Sequence, residues 1–415
     1  MREMKESGVE WIGEIPAHWS PIRFRFIAKI TTGNQDTQNA DPDGEYPFYV
    51  RSPIVERCNN YTFDGKGILM AGDGAGAGRV FHLVDGKYAV HQRVYRFYDF
   101  KYMYPVLLKY YLENLFATVM DYGSAKTTVP SVRLPMIQDF VVCVPPKKEQ
   151  DNIVAVLNEK CAQVGSLISN MQAQIEKLKA YKQSLITEVV TKGLDPTVPM
   201  KDSGFEWIGE IPAHWEITRK LAFVTTEGIS YGIVKLFDPD DVNGVKVLRC
   251  SDVLEGFIKP DNIRTVTREV SNEYARTILA GGEVLVNVRG SLGGCAVVPE
   301  EMAGYNIARE VAKITLNSRM CNRYVMYYLL SRCFVEYRTS HLSGSVYVGL
   351  NIELLSSCPL PNPELTEQKA IADYLDKKCS QIDHLIAIKQ AKSEKLEQYK
   401  QSFIYEYVTG KREVM

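Results

Sequence analysis

The sequence predicts an α+β protein: two mixed α/β domains separated by two long helices that pair as a coiled coil, arranged as a pseudo-two-fold internal repeat. Three observations lead there. The phrase SGVEWIGEIPAHW at Ser7–Trp19 returns as SGFEWIGEIPAHW at Ser203–Trp215, with only Val9 changed to Phe205. A block from Glu149 to Thr191 returns from Glu367 to Thr409 with about half its positions identical. Between phrase and block, each half carries a segment whose turns and apolar runs follow the same order while identity is lost. The expected boundaries are residues 1–148 for the first domain, 149–193 for the first long helix, 194–366 for a linker and second domain, and 367–415 for the second long helix.

Each repeated block reads as one helix. Apolar residues recur at steps of three and four: Ile153, Leu157, Val164, Ile168, Met171, Ile175, Leu178, Leu185 and Val189 in the first. The second has Ile371, Leu375, Ile382, Leu385, Leu396, Phe403 and Tyr407. Lys, Glu and Gln fill the intervals, with good helix propensity. A stripe so narrow calls for a partner helix, and the two copies bury their stripes most economically against each other.

The segments between, about residues 20–148 and 216–366, read as mixed α/β. A buried strand at Ile68, Leu69 and Met70 precedes a glycine loop, as Val284–Val288 does in the second half. A further strand, a helical stretch and a Gly-Ser loop follow, and a proline-rich exit leads to Glu-Gln at the helix start. The composition fits this picture. A chain of 415 residues is long enough for two or three domains. Its 45% hydrophobic and 24% charged residues are those of a soluble globular protein. Lys+Arg 49 against Asp+Glu 50 leaves a net charge of −1, so any nucleic-acid surface must be local. Nine cysteines without a Cys-x-x-Cys pair argue against a zinc site or a disulfide framework and for a reducing compartment. With no signal core at the N-terminus and no apolar run of membrane length, the expected location is cytoplasmic.

No catalytic set appears twice, and two equivalent domains would each need one. The loop Gly72–Arg79 lacks the Gly-Lys-Ser/Thr of a phosphate loop, and its glycine spacing is lost in the second half, so it reads as a tight turn. The Pro-Pro of Pro145-Pro146 follows Val144, not the Asn or Asp of an amino-methylating motif. His18 and His214 sit in the repeated phrase and read as packing, and Phe237–Lys246 reads as a solvated acidic loop. Neither a metal nor a cofactor on this chain is expected.

What the loops offer is binding chemistry. In the first domain Arg79, His91, Gln92, Arg93, Arg96, Lys126, Thr127, Thr128 and Arg133 lie in or beside them, with Tyr88, Tyr95 and Tyr122 interleaved. In the second the candidates are Arg249, Arg289, Ser291, Asn306, Arg309, Ser343, Ser345 and Tyr347. Arg and Lys pair with guanine's groove edge, Asn and Gln with adenine, and Ser or Thr with either or with phosphate.

Taken together, the duplicated EWIGEIPAHW and the proline-then-Glu-Gln starts VPPKKEQDNIVAVL and LPNPELTEQKAIADYL resemble the specificity subunit of a type I restriction-modification system, over nearly the whole chain. The resemblance implies two target-recognition domains that bind an asymmetric bipartite double-stranded DNA target, two long helices between them that pair as an antiparallel coiled coil, and no catalysis by the chain alone. It implies partners as well: two modification (methyltransferase) subunits with S-adenosylmethionine, and restriction (translocase/nuclease) subunits with ATP and Mg. It further suggests that the repeated phrase, through Trp11, Ile12, Ile15 and Trp19, packs each domain against the far end of the other half's helix. The rivals are a free-standing methyltransferase or nuclease with a duplicated domain, and a coiled-coil scaffold that never reads DNA.

Overall fold

The computed structural model describes residues 2–123, 130–234, 244–259, 261–342 and 349–414. The chain forms two compact units, residues 1–172 with 390–415, and residues 173–389. The boundaries expected at 148 and 366 separate helix from domain. The fold instead divides each long helix, because each half of its apolar stripe completes the core of a different unit.

The long helices run Lys147–Lys192 and Leu365–Val408. The first starts two residues earlier than its repeat suggested, directly after Pro145-Pro146, whose fixed φ suits a helix start. Within the first unit Ile153, Leu157 and Val164 share a core with Phe403, Ile404, Tyr407 and Val408. Within the second, Leu185, Ile186, Val189 and Val190 share one with Ile371, Leu375, Cys379 and Ile382. There Lys182 pairs with Asp383 at 2.7 Å, and Lys389 donates to Gln174. Numbers rise on one helix as their partners' fall on the other, so the pairing is antiparallel. Leu385, expected in the stripe, is instead exposed, and Ile386 takes the inward place.

Among the described residues each domain carries two sheets of three or four strands beside its two-stranded pairs. In the first domain one sheet orders Lys29–Thr32, Val94–Tyr98, Gly67–Ala71 and Phe81–Val84, all antiparallel. The other orders Glu56–Cys58, Tyr46–Tyr49, Lys87–Val90 and Phe63–Asp64, with a parallel pair where Ala89 faces Phe48. The second domain repeats the plan. Ser230–Tyr231, Val311–Ile314, Val284–Asn287 and Cys295–Val297 form one sheet. Arg264–Val266, Val245–Leu248 and Asn306–Ile307 form the other, again with a parallel pair, Val247 facing Asn306. Gly67–Ala71 and Val284–Asn287 are buried at every residue, as a strand covered on both faces requires.

The helical stretch of the first domain is one helix, Pro105–Gly123. Its counterpart breaks into Asn322–Leu330 and Arg332–Leu342 at the buried Ser331. Ser331 Oγ donates to the Tyr328 carbonyl at 2.6 Å. The first long helix satisfies the groups the break frees: Gln183 Nε2 donates to the Leu330 carbonyl at 2.7 Å, and the Arg332 amide donates to Thr187 Oγ1 at 2.9 Å. Among the described residues no helix is long and apolar enough to cross a membrane.

Candidate nucleic-acid interface

The repeated phrase is a clamp, made twice. It forms a hairpin in which Met4–Glu6 pairs with Glu14–Pro16, and Met200–Asp202 with Glu210–Pro212, in the same register. The likeness thus begins three residues before the phrase, at Met4 and Met200. Trp19 and Trp215 are fully buried. Each covers the left-handed glycine that ends a long helix: a Cβ on Gly410 (φ +70°) would lie 3.0 Å from Trp19 and 2.5 Å from Pro16, and one on Gly193 (φ +75°) would lie 3.1 Å from Trp215. Each half's phrase therefore packs on the far end of the other half's helix, as the repeat suggested.

The same phrase grips the start of its own half's helix. His18 Nε2 lies 2.5 Å from Glu149 and Trp19 Nε1 donates to it at 2.9 Å, while His214 Nε2 lies 3.1 Å from Glu367. Burial alone would raise the Glu149 pKa, but hydrogen bonds from Trp19 and His18, with the Arg2 guanidinium, hold its carboxyl below the usual range. The neighbouring glutamines are buried and tie the helix to its domain. Gln150 accepts from the Tyr104 amide at 2.8 Å and donates to the Pro145 carbonyl at 2.9 Å. Gln368 does the same for the Cys321 amide at 2.8 Å and the Pro363 carbonyl at 2.9 Å. The two histidines are thus packing groups, and the Glu-Gln pair is the lock they close on.

With the frame fixed, the loops at the ends of the strands carry the variable chemistry. In the first domain Gly72–Arg79 is a tight turn, with Ala77 N bonded to the Gly74 carbonyl and positive φ at Gly74 and Gly78. Arg93 is exposed, and its Nη1 donates to Asp73 Oδ2 at 2.7 Å; Arg51 Nη1 donates to Asp73 Oδ1 at 3.0 Å. Burial disfavours the charged Asp73, yet the hydrogen bonds from Arg93 and Arg51 outweigh it and keep the carboxyl below its ordinary pKa. Gln92, also exposed, donates to Asp36 at 2.6 Å. Arg79 and Arg133 are exposed, the latter capping the short helix Leu134–Asp139. An open cleft of about 570 Å³ lined by Thr37, Arg51, Ser52, Asp73 and Gly76 lies beside this group. Lys126, Thr127 and Thr128 lie outside the described residues, as do Ser343, Ser345 and Tyr347.

Three candidates prove to be internal. His91 is buried, and burial, helped by the nearby Arg51, lowers its pKa. Its Nδ1 accepts from the Arg93 amide at 3.0 Å, so the ring positions Arg93. Arg96 is buried too, its guanidinium 4.6 Å from the Phe63 ring and 4.5 Å from that of Tyr98, with Nε donating to Tyr88 Oη at 2.8 Å. Asn306 is fully buried, bonded to Thr277 at 2.7 Å and to Ser271 Oγ at 2.9 Å, so its amide holds the second domain together. Tyr95 Oη is committed to the Val132 carbonyl at 3.1 Å.

In the second domain Arg289 and Ser291 are exposed beside the glycine turn, and the Ser291 carbonyl accepts from Asn287 at 3.1 Å. Arg249 folds back on the buried Asp252 through two contacts at 3.2 Å. Arg309 is exposed, with Nε 3.9 Å from Glu310. Among the described residues Glu310 Oε2 is buried with no hydrogen-bond partner.

Strand register fixes which loop positions are equivalent. Val94 faces Ala71 as Val311 faces Asn287. Gly72 N donates to the Arg93 carbonyl at 2.9 Å as Val288 N does to that of Glu310 at 2.8 Å. Val132 N donates to the Gly72 carbonyl, and Leu350 N to that of Val288, both at 2.8 Å. Arg289 thus stands where the first domain has Asp73, Glu310 where it has Arg93, and Arg309 where it has Gln92. Arg51, Asp73, Asp36 and Glu310 were not among the candidates read from the sequence. The one signal for Asp73 was a carboxylate inside a turn otherwise built of Gly and Ala up to Arg79.

A duplicated α/β domain that keeps one backbone frame and exchanges the charges on its loops, each copy clamped by the same phrase, defines a two-part recognition protein. Among the described residues no group of three or more His, Cys, Asp or Glu is placed to hold a metal ion. A family model described as the type I restriction modification DNA specificity domain matches residues 16–179 and again 216–398, and the chain belongs to that family. It is 24% identical to the type I restriction enzyme MjaVIII specificity subunit of Methanocaldococcus jannaschii, over 96% of this chain and 93% of that one. It is 23% identical to the EcoDI specificity subunit of Escherichia coli, over 86% of this chain and 81% of the relative. A solved structure concerned with complex assembly and conformational transition of the type I R-M system shares the fold, with a TM-score of 0.67 and 18% identity, over 96% of this chain and 99% of that one.

Proposed function

We propose that this chain is the DNA-recognition subunit of a type I restriction-modification complex. It binds an asymmetric bipartite target, one part per domain, and positions modification and restriction subunits on it in the cytoplasm. It performs no catalysis of its own: S-adenosylmethionine, ATP and Mg belong to the partner subunits. The observation that carries this reading is the pairing of a repeated frame with exchanged loop charges. Two domains built to read the same sequence would repeat their loops along with their Trp-Glu-Gln clamps, whereas here the clamps repeat and the loops do not.

The purified chain, given S-adenosylmethionine and mixed genomic DNA, should transfer no methyl group. Adding modification subunits should produce methylated adenines within one bipartite motif. Methyl transfer by the pure chain would return it to the free-standing enzymes, and a reconstituted complex without any sequence preference would make it a scaffold.

A further inference from the structure

In the loops of the first domain the Asp73 carboxylate holds two guanidiniums, those of Arg51 and Arg93. Asp73 is the less exposed partner, its side chain 16% accessible against 42% for Arg51 and 61% for Arg93. Each arginine uses only Nη1 on it, and among the described residues Nε and Nη2 of both make no further hydrogen bond. A guanidinium is planar, with five N–H donors in a fixed fork, so a carboxylate holding one corner leaves the remaining edge aimed and preorganised. The His91 ring fixes the Arg93 backbone from behind. Such an edge matches the O6 and N7 acceptors that guanine shows in the major groove.

We propose that Arg93, held together with Arg51 by Asp73, reads a guanine in the first half of the target, and that Glu310 at the same place in the second domain rejects guanine there. The inference rests on the DNA-recognition reading above. Asp73 is a positioning residue: it touches the arginines, and the arginines touch the base. In the second domain the same step of the frame carries the Glu310 carboxylate, its Oε2 buried and its Oε1 on the side of Arg309, and this outer oxygen accepts hydrogen bonds and repels guanine's acceptor edge. Exchange of charge at one position is therefore a sufficient reason for the two halves of the target to differ, and the mismatched partner is excluded by repulsion as well as by a missing contact.

The test uses the full chain reconstituted with modification subunits, methylating whole genomic DNA whose modified adenines are then sequenced. Wild type should show a guanine in the half read by the first domain, and no guanine preference at the corresponding place in the other half. Arg93→Met should lower discrimination for that guanine by about 5- to 150-fold, the range of one bidentate base contact, and leave the second half intact. Arg93→Lys keeps the charge beside Asp73 but loses the fork, so it should lose the preference while retaining the binding to a duplex without the site. Asp73→Asn should relax the preference and tighten binding to a duplex without the site, because a negative charge facing DNA is gone. A motif unchanged in Arg93→Met, a uniform loss of affinity without a change of motif, or a first half containing no guanine would each overturn the proposal. Misfolding would abolish both halves together, and Arg93→Lys guards against that outcome. A wild-type complex with no motif at all would instead remove the DNA-recognition reading itself.

Discussion

Around these loops the first and second domains share their strand frame to the level of single hydrogen bonds, yet at equivalent positions Asp73 faces Arg93 in one and Arg289 stands near Glu310 in the other. The inward cation on the neighbouring strand differs as well. Arg96 lies among Phe63, Tyr88 and Tyr98, while Lys313, at the same register, pairs with Glu227 at 2.9 Å. The lesson is a division of labour. The buried strands keep their apolar character, and the Trp on its glycine and the Glu-Gln lock keep their identity in both halves, because each is packed within the fold. A side chain one or two residues beyond a strand end is positioned by that frame and constrained by little else.

Exchanging residues 20–148 for another recognition domain tests this division with the largest expected effect. One half of the methylated motif should be replaced outright while the other is retained, as read by sequencing methylated adenines. Loss of both halves in a folded, assembled chimera would show that the domains do not read independently.

The clamps come next, and they are not equal. Trp19→Ala and Trp215→Ala should each cost about 3–5 kcal/mol in denaturant unfolding, the usual range for deleting a buried aromatic. Trp19→Phe and Trp215→Phe separate the two. The first removes a hydrogen bond to the Glu149 carboxylate, worth about 1.5–3 kcal/mol when an ion is involved. Trp215 Nε1 is buried without a hydrogen-bond partner among the described residues, so its loss removes no such bond. Equal costs for the two Phe variants would mean that the Glu149 bond contributes nothing.

The charge exchange can be imitated. Asp73→Arg alone gathers cations around Arg51 and Arg93 and should destabilise the first domain by about 1 kcal/mol, a modest figure because exposed pairs are screened. Adding Arg93→Glu should restore most of it, with the recovery shrinking as salt rises. Strictly additive effects of the two changes would show that these side chains do not interact.

The smallest effect is on acid stability. Burial lowers the pKa of both His91 and His82 from the ordinary value of 6.5. The folded first domain therefore keeps these rings neutral while the unfolded chain takes up protons. The stability they confer is present above pH 6.5 and declines as the pH falls below it toward the depressed folded values. Ala308 occupies the place of His91 in the second domain. Between pH 7 and 5 the first domain should lose stability faster than the second, and His91→Ala should flatten its slope, measured by domain-resolved hydrogen exchange. Parallel slopes would argue against a buried neutral His91.

Much of this was legible in the sequence, for identifiable reasons. The repeats gave away the duplication and the clamp, since a Trp that must cover a helix end and a Gln that must satisfy two backbone groups have no substitutes. The three- and four-residue steps predicted both helices to within two residues at each start and the pairing of their stripes, because periodicity is a local property of the chain, whereas the antiparallel sense came from the family resemblance. The break at Ser331 was not legible: the stretch is helical by composition, and Gln183 and Thr187, which satisfy the freed groups, come from another element. Asn306 and Arg96 were named as base readers on chemical type alone, and burial commits both to the interior.

The sequence by itself determined that the chain is duplicated and that each half ends in a long helix, because those facts are written in repetition and period. Only the tertiary structure decided which loop residues stand in the same place. Arg51 and Arg93 lie 22 and 20 residues from Asp73, and Arg289 matches Asp73 only once the strands are paired. Strand register is set by cross-strand hydrogen bonds and by which face is buried, and those partners are brought together by folding.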